Sequence, residues 1–245
     1  MAKIIQAYKG LEISFDEAKH QLFVNGERNP WNITGITGII DKSGVLMGWQ
    51  ERITREYLLN ELIAGRVVNE TEIKTATSLH RTEKTKAGTV GDTIHEYAEQ
   101  FSLGLKPEIP EEEKARNGVL AFLKWIDEEK IKVSNPEEVL LSKKYGFWGI
   151  KDSDGKRGKE NFVIDYKTSK GIYPDFRLQT SAYLFASQEM LGKKYVGYWI
   201  VKFGKEDGNF EPLFVPIKEA KLDFEAFLAA FTLKKRLKLI DTYGR

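Results

Sequence analysis

Residues 162–168 are the segment that most constrains how this chain folds. They read Phe-Val-Ile-Asp-Tyr-Lys-Thr, and a run of β-branched and aromatic residues that becomes polar at its carboxyl end predicts a buried strand. Side chains alternate along a strand, so Asp165 and Lys167 should emerge on one face and Tyr166 on the other. The pair is open to two interpretations: a plain ion pair, or a metal ligand beside a charge that holds a nucleophilic water against a phosphate.

A second acid precedes this strand. Asp152 stands thirteen residues before Asp165, and the intervening polar segment contains Gly155 and Gly158, which is the chemistry of a turn. A hairpin of this kind would bring the two acids together on adjacent strands. Two neighbouring carboxylates supply the hard oxygen ligands that Mg²⁺ or Mn²⁺ prefers.

Composition narrows the classes of function. The 245 residues carry 38 basic and 36 acidic side chains, so any binding to nucleic acid must come from local patches. The absence of cysteine excludes disulfides, thiolate-bound zinc and cysteine-bound iron–sulfur clusters. No run approaches the roughly 20 apolar residues of a membrane span. We therefore expect a soluble, cytoplasmic protein with no membrane partner.

Hydrophobic periodicity predicts a succession of strands and helices. Residues 3–25, followed by the turn signal Asn25-Gly26, predict a β-hairpin or small sheet. Apolar spacings of three and four predict a helix from Trp49 to near Gly65. We expect further helices over 91–103, 115–131, 175–190 and 223–240, and strands over 139–141, 193–201 and 210–216.

The polar segment 66–90 is open to two interpretations. It fits either a loop or a solvated helix, and its cations Arg81, Lys84 and Lys86 would form either a solvated surface or a basic edge facing a substrate.

Two pairs of polar residues have helical spacing. His95 and Glu99 are four apart and share a helix face, where they either point into a metal site or form a surface pair. Gln179 and Tyr183 have the same spacing in the helix that follows the central strand. That helix can bury one side on the sheet and present both residues at the edge where Asp165 lies.

Four short motifs occur in a fixed order along the chain. They are Gly91-x₃-His95-x₃-Glu99, Gly149-x₂-Asp152, Asp165-Tyr166-Lys167-Thr-Ser and Gln179-x₃-Tyr183. The ordered set resembles the RecB-type branch of the PD-(D/E)XK nuclease superfamily, which includes phage exonucleases and the mitochondrial genome maintenance exonucleases. The resemblance is strongest over 91–185 and looser over 8–60. The lack of cysteine separates this chain from the branches that carry a cysteine-bound cluster.

The resemblance implies a fold and a domain plan. The fold is α/β, a restriction-endonuclease-like core whose central mixed β-sheet is flanked by helices, with an N-terminal β-hairpin and helical additions. A single nuclease domain would span 1–245, with the additions over 1–90, the catalytic core over 91–203, and a C-terminal strand and helix over 204–245.

The resemblance also implies the metal ligands. His95, Asp152, Asp165 and the carbonyl of Tyr166 would bind one or two Mg²⁺ or Mn²⁺ ions. Family members continue after Asp152 as an apolar strand, whereas polar residues follow it here. The second strand is therefore expected to be truncated, and Asp154 competes with Asp152 for the ligand role.

The remaining motif residues receive roles around these ligands. Lys167 would stabilise the attacking hydroxide or the phosphate. Gln179 and Tyr183 would support the site or hold the DNA backbone. Glu99 would lie next to the metal ligands without binding the metal itself.

The implied activity is a metal-dependent DNA exonuclease that acts on single-stranded ends in replication, repair or recombination, and the resemblance extends to phage-encoded enzymes. The alternatives are a non-catalytic nucleic-acid-binding module on the same fold and a structure-selective endonuclease. Four aromatic residues near the site either stack on bases or belong to the core: Phe147, Trp148, Tyr173 and Phe176.

Overall fold

The computed structural model describes residues 3–243. Residues 1, 2, 244 and 245, which belong to the predicted domain range, lie outside the described residues. The chain divides into two compact units, one formed by 1–39 with 94–245 and the other by 40–93. The assignment of a single nuclease domain to residues 1–245 stays a prediction.

The helices and strands follow one another along the whole described chain. In order they are β1 Lys3–Tyr8, β2 Leu11–Asp16, β3 Gln21–Val24, β4 Glu27–Asn29, α1 Ile33–Thr37, α2 Ser43–Ile63, α3 Glu70–Ser102, α4 Glu113–Glu129, β5 Lys132–Ser134, β6 Glu138–Leu141, β7 Trp148–Lys151, β8 Ser153–Arg157, β9 Glu160–Lys167, α5 Pro174–Leu191, β10 Gly197–Phe203, β11 Phe210–Pro216 and α6 Ile217–Tyr243.

The N-terminal strands form a four-stranded antiparallel sheet in the order β1-β2-β3-β4. Asn25 and Gly26 connect β3 to β4 with φ angles of +51° and +80°. A two-residue hairpin turn of this type needs positive φ at both positions, which Asn-Gly supplies at little cost. The predicted small sheet with its tight turn is confirmed.

A five-stranded mixed sheet forms the centre of the larger unit. Its order is β11-β10-β9-β8-β5, with β9 and β10 parallel and the other neighbours antiparallel. Helix α4 packs on one face, where Trp125 contacts the ring of Tyr166. Helices α5 and α6 pack on the other face, where Val163 joins the buried cluster that contains Phe227. The predicted α/β fold with a central mixed sheet flanked by helices is confirmed.

The segment after Asp152 differs from its prediction. Most of it is the regular strand β8, which pairs with β9, and only Gly158 and Lys159 form the connecting turn. The expectations of a long polar turn and of a truncated strand are both wrong. A side chain at Gly155 would place its Cβ 2.5 Å from Ile164 Cδ1, so this glycine allows the strand to lie close against the core rather than marking a turn.

Other boundaries shift more modestly. Segment 66–90 is helical from Glu70 onwards as the first part of α3, so the loop interpretation is wrong there, and Arg81, Lys84 and Lys86 lie exposed on the helix. Strand β10 begins and ends later than predicted, and α6 starts earlier. Within residues 3–243 we find no helix with the length and apolar character needed to cross a membrane.

Candidate active site

Asp152 lies where the chain passes from one sheet to another. Strand β7 ends at Lys151, paired with β6 in a two-stranded sheet, and β8 begins at Ser153, paired with β9 in the central sheet. The β8–β9 ladder starts at the pair Ser153 and Ile164. Beyond it, the backbone N–H of Tyr166 donates to Asp152 Oδ2 at 2.6 Å. The carboxylate thus takes the place of a ladder acceptor, which fixes its orientation beside β9.

Asp165 and Lys167 form a buried ion pair at the end of β9. Lys167 Nζ lies 2.6 Å from Asp165 Oδ2, and the two side chains are 15% and 1% exposed. Burial raises the pKa of Asp165 to about 6; Lys167 opposes this shift and the nearby Asp152 adds to it. Burial lowers the pKa of Lys167, but Asp165 and Asp152 outweigh it, so the net shift is upwards and the ammonium stays charged.

Helix α3 brings His95 to the same place. Its Nδ1 lies 3.8 Å from Asp152 Oδ2, and its ring meets that of Tyr166 edge-on with 6.1 Å between centroids. The histidine ring therefore contacts the Asp152 carboxylate, and no ion pair joins it to Glu99 in the described part of the chain. The interpretation of His95 as a metal ligand stays a prediction.

Glu137 is a neighbour of the site that the sequence pattern did not single out. Its backbone N–H donates to the carbonyl of Asp152 at 3.3 Å. The residue as a whole is exposed, but desolvation of its carboxyl group, followed by the charges of Asp152 and Glu99, raises the pKa of Glu137 to about 7. Glu99 therefore acts electrostatically on this acid. No sequence signal marked this position, because its approach to Asp152 depends on a backbone turn in which Asn135 and Glu137 both adopt positive φ.

Gln179 and Tyr183 lie at the edge of the site as a bonded pair. Gln179 Nε2 donates to Tyr183 Oη at 2.8 Å and to Thr34 Oγ1 at 3.3 Å. Burial raises the pKa of Tyr183, and the charges of Asp165 and Asp152 raise it further. The phenol is therefore a neutral group close to both acids. The participation of Thr34, which belongs to α1, was not predicted.

Asp154 belongs to a different network. Its carboxylate accepts from Lys151 Nζ at 2.6 Å, Lys193 Nζ at 2.8 Å and Tyr195 Oη at 3.1 Å. Lys151 is fully buried and also lies 2.5 Å from Glu138 Oε2. Burial raises the pKa of Asp154, but the two lysines outweigh it and the net shift is downwards. This acid is saturated by partners of its own, whereas Asp152 faces Asp165 and His95.

The aromatic residues near the site divide into two groups. Phe147 and Trp148 are 0% and 2% exposed, so they belong to the core and cannot stack on bases. Tyr173 and Phe176 are half-buried, and the Phe176 ring lies 4.8 Å from Lys167 Nζ.

The candidate ligands of a divalent ion are Asp152, Asp165 and His95. Within residues 3–243, no group of three or more His, Asp or Glu side chains already has the arrangement of a metal site. The two carboxylates nevertheless fit, since they are the hard oxygen ligands that Mg²⁺ or Mn²⁺ prefers. Asp165 Oδ2 is buried and lies 2.6 Å from Lys167 Nζ, so a metal ion at this carboxylate would share it with the ammonium.

Comparisons with known proteins add little at this level of similarity. No family model matches the chain, and no curated protein matches it. Among solved structures it is similar to an alkaline exonuclease, LHK-Exo, from Laribacter hongkongensis, and to LHK-Exo in complex with dAMP. Each comparison has 17% sequence identity and a TM-score of 0.31, and covers 65% of this chain and 93% of the other.

Proposed function

We propose that this chain is a Mg²⁺- or Mn²⁺-dependent DNA exonuclease that hydrolyses phosphodiester bonds from single-stranded ends, in DNA replication, repair or recombination. One observation carries the proposal: Asp165 and Lys167 meet at the end of β9, and Asp152 is docked on the backbone N–H between them. The preference for DNA and for single-stranded ends rests on the resemblance of the four ordered motifs to RecB-type nucleases.

Phosphodiester hydrolysis requires an activated water and compensation of the charge that develops on the phosphate. Asp152, Asp165, His95 and the carbonyl of Tyr166 would hold the ion, which when bound supplies Lewis acidity and lowers the pKa of water. Lys167 suits the second requirement because its ammonium is charged and largely withdrawn from solvent, where electrostatic interactions are stronger than in water.

Gln179 and Tyr183 suit a positioning role. Both are uncharged, and the amide of Gln179 donates to Thr34 and Tyr183. Gln179 would therefore orient the Tyr183 hydroxyl, whose own proton can be donated to a phosphate oxygen without competition for the metal.

The decisive experiment is a digestion panel with and without divalent ions. End-labelled single-stranded, duplex and flapped DNA and circular single-stranded DNA are incubated with the protein in Mg²⁺, Mn²⁺ or EDTA. We expect metal-dependent release of nucleotides from single-stranded ends. Lys167→Ala should lower the rate by at least roughly 10²-fold while DNA binding persists. The matched control is Lys159→Ala, an exposed lysine at the opposite end of β9, which should keep full activity.

The panel also separates the alternatives. Opening of circular DNA would identify an endonuclease, because an exonuclease needs an end. Binding without cleavage of any substrate in either metal would sink the enzyme proposal and leave a non-catalytic module. Calorimetric titration with Mn²⁺ gives an independent readout of the metal, which should bind the wild type and fail to bind Asp165→Asn.

A further inference from the structure

The apolar face of α6 becomes basic towards the end of the helix. Phe224, Phe227 and Phe231 are buried at spacings of three and four, and this face continues along the helix into Lys234, Lys235 and Lys238. Residues 226–240 contain four cations and no acid. Residues 234–238 are named the basic segment.

Two of the four cations of the basic segment lie over aromatic rings. Lys235 Nζ lies 4.2 Å from the centre of the Phe231 ring, and Lys238 Nζ lies 4.8 Å from that of Trp31. Within residues 3–243, neither lysine forms an ion pair with a carboxylate, and the same holds for Arg236. Cation–π contacts fix the position of a charge without neutralising it. The basic segment therefore presents ordered positive charge to solvent.

A chain of direct contacts links the basic segment to the candidate active site. Lys234 Nζ donates to the carbonyl of Gly35 in α1. The adjacent Thr34 accepts from Gln179 Nε2, and the same amide donates to Tyr183 Oη. All of these residues belong to the larger compact unit. Direct contacts thus connect the basic segment to the residues at the edge of the candidate active site.

We propose that the basic segment and α1 form a track for the sugar–phosphate backbone of single-stranded DNA, leading to the candidate active site. The inference rests on the proposed function for the identity of the ligand. Its physical basis is complementarity between a row of cations and a regularly charged strand, with the Thr34 hydroxyl as a neutral donor between the row and the acids. An acidic protein also fits a basic helix, but continuity with a phosphodiester site favours DNA.

The test measures the salt dependence of DNA binding in EDTA, where metal-dependent cleavage is off. A fluorescent single-stranded oligonucleotide is titrated by anisotropy with wild type and with the triple variant Lys235→Ser, Arg236→Ser, Lys238→Ser. Each phosphate contact on a single strand contributes about 0.7 to the log–log salt slope. Loss of three contacts should lower the slope by about 2, so between about 50 and 200 mM salt the wild-type affinity falls roughly 20-fold more than the variant affinity.

Two control variants isolate the position and the charge. Lys159→Ser, Lys218→Ser, Lys221→Ser removes the same charge from exposed sites outside the basic segment and should keep nearly the wild-type slope. Lys235→Arg, Lys238→Arg keeps the charge and should also keep the slope.

The outcomes distinguish this inference from the proposed function. Equal salt slopes of DNA binding for the two triple variants overturn the track, even if the wild type digests DNA. Polyglutamate serves as a model of an acidic protein, and a wild type that binds polyglutamate but no DNA also overturns the track. A reduced slope for the basic-segment variant alone supports the track, including when the wild type digests no substrate and only the proposed function fails.

Discussion

Lys151→Met tests how much the buried ion pairs next to Asp152 contribute to stability. Lys151 is 0% exposed and lies 2.5 Å from Glu138 Oε2 and 2.6 Å from Asp154 Oδ1. Methionine keeps the length and apolar character of the stem but removes the ammonium. Asp154 retains Lys193 at 2.8 Å, whereas Glu138 has no second ion-pair partner within residues 3–243. The variant therefore leaves one carboxylate near the interior without a cation.

Removal of one partner from a buried ion pair costs about 3–5 kcal/mol. The Glu138 side chain is 29% exposed, so partial hydration of its carboxylate places the expected loss near the lower end, about 3 kcal/mol. For a chain of this length that loss corresponds to a fall in Tm of roughly 6–12 °C. Thermal unfolding at about pH 7, followed by circular dichroism, measures it.

The effect should also depend on pH with a definite sign. The pKa of Asp154 is lowered in the folded wild type, so its stabilising contribution is present above its ordinary pKa and is lost as the pH falls through the folded value. In the variant, Asp154 loses one of the two lysines that lower its pKa, so it should protonate at a higher pH than in the wild type. The stability deficit should therefore shrink as the pH falls below the ordinary pKa of an aspartate, about 3.9.

Two further variants make the result decisive. Lys156→Met, at an exposed position of strand β8, should change stability by less than about 0.5 kcal/mol. Lys151→Met combined with Asp154→Asn should be less destabilised than the sum of the single changes, because the two residues are in contact. If Lys151→Met unfolds within about 2 °C of the wild type at pH 7, the buried network does not stabilise this region and the reasoning fails.

Three other predictions address the site itself. The pKa of Glu137 is raised to about 7 in the folded protein, so its contribution to stability is lost as the pH rises through that value. Glu137→Gln should therefore have a higher Tm than the wild type at about pH 8 but not at about pH 5. Equal Tm differences at both pH values would contradict this. Asp152→Asn should abolish calorimetric Mn²⁺ binding while Asp154→Asn retains it, and the reverse result would exchange the roles of the two acids. Gly149→Ala places a Cβ 2.7 Å from Tyr183 Cε1, so we expect about 1–3 kcal/mol of destabilisation in urea unfolding, and unchanged stability would show that the phenol moves freely.

The sequence predicted the parts of the fold that local pattern determines. Strand β9 combines a β-branched run with a polar end, and the turn at Asn25-Gly26 uses residues that tolerate positive φ. These signals lie within a few neighbouring residues. The strand at the centre of the site and the N-terminal sheet therefore follow from the amino-acid pattern alone.

Strand β8 could not be predicted in the same way because what stabilises it is remote in sequence. Its residue Asp154 is buried at 5% exposure, with partners as distant along the chain as Lys193 and Tyr195. A polar segment with two glycines is typical of a turn unless such partners exist. For the same reason the pattern did not predict a place for Glu137 at the site, since its proximity to Asp152 follows from tertiary packing alone.

The electrostatics of the site point to a deficit of positive charge around its acids. Lys167 lies 2.6 Å from Asp165, yet the pKa of that acid is still raised, first by burial and then by the neighbouring Asp152. The pKa of Glu137 is raised as well, by desolvation of its carboxyl group and by Asp152 and Glu99. One ammonium therefore does not compensate this group of carboxylates. A divalent cation held by Asp152 and Asp165 would lower the free-energy cost of ionising both acids. A buried ion pair with an additional unpaired acid lowers the free energy of unfolding. A purely structural ion pair does not need that second acid, whereas a metal site does.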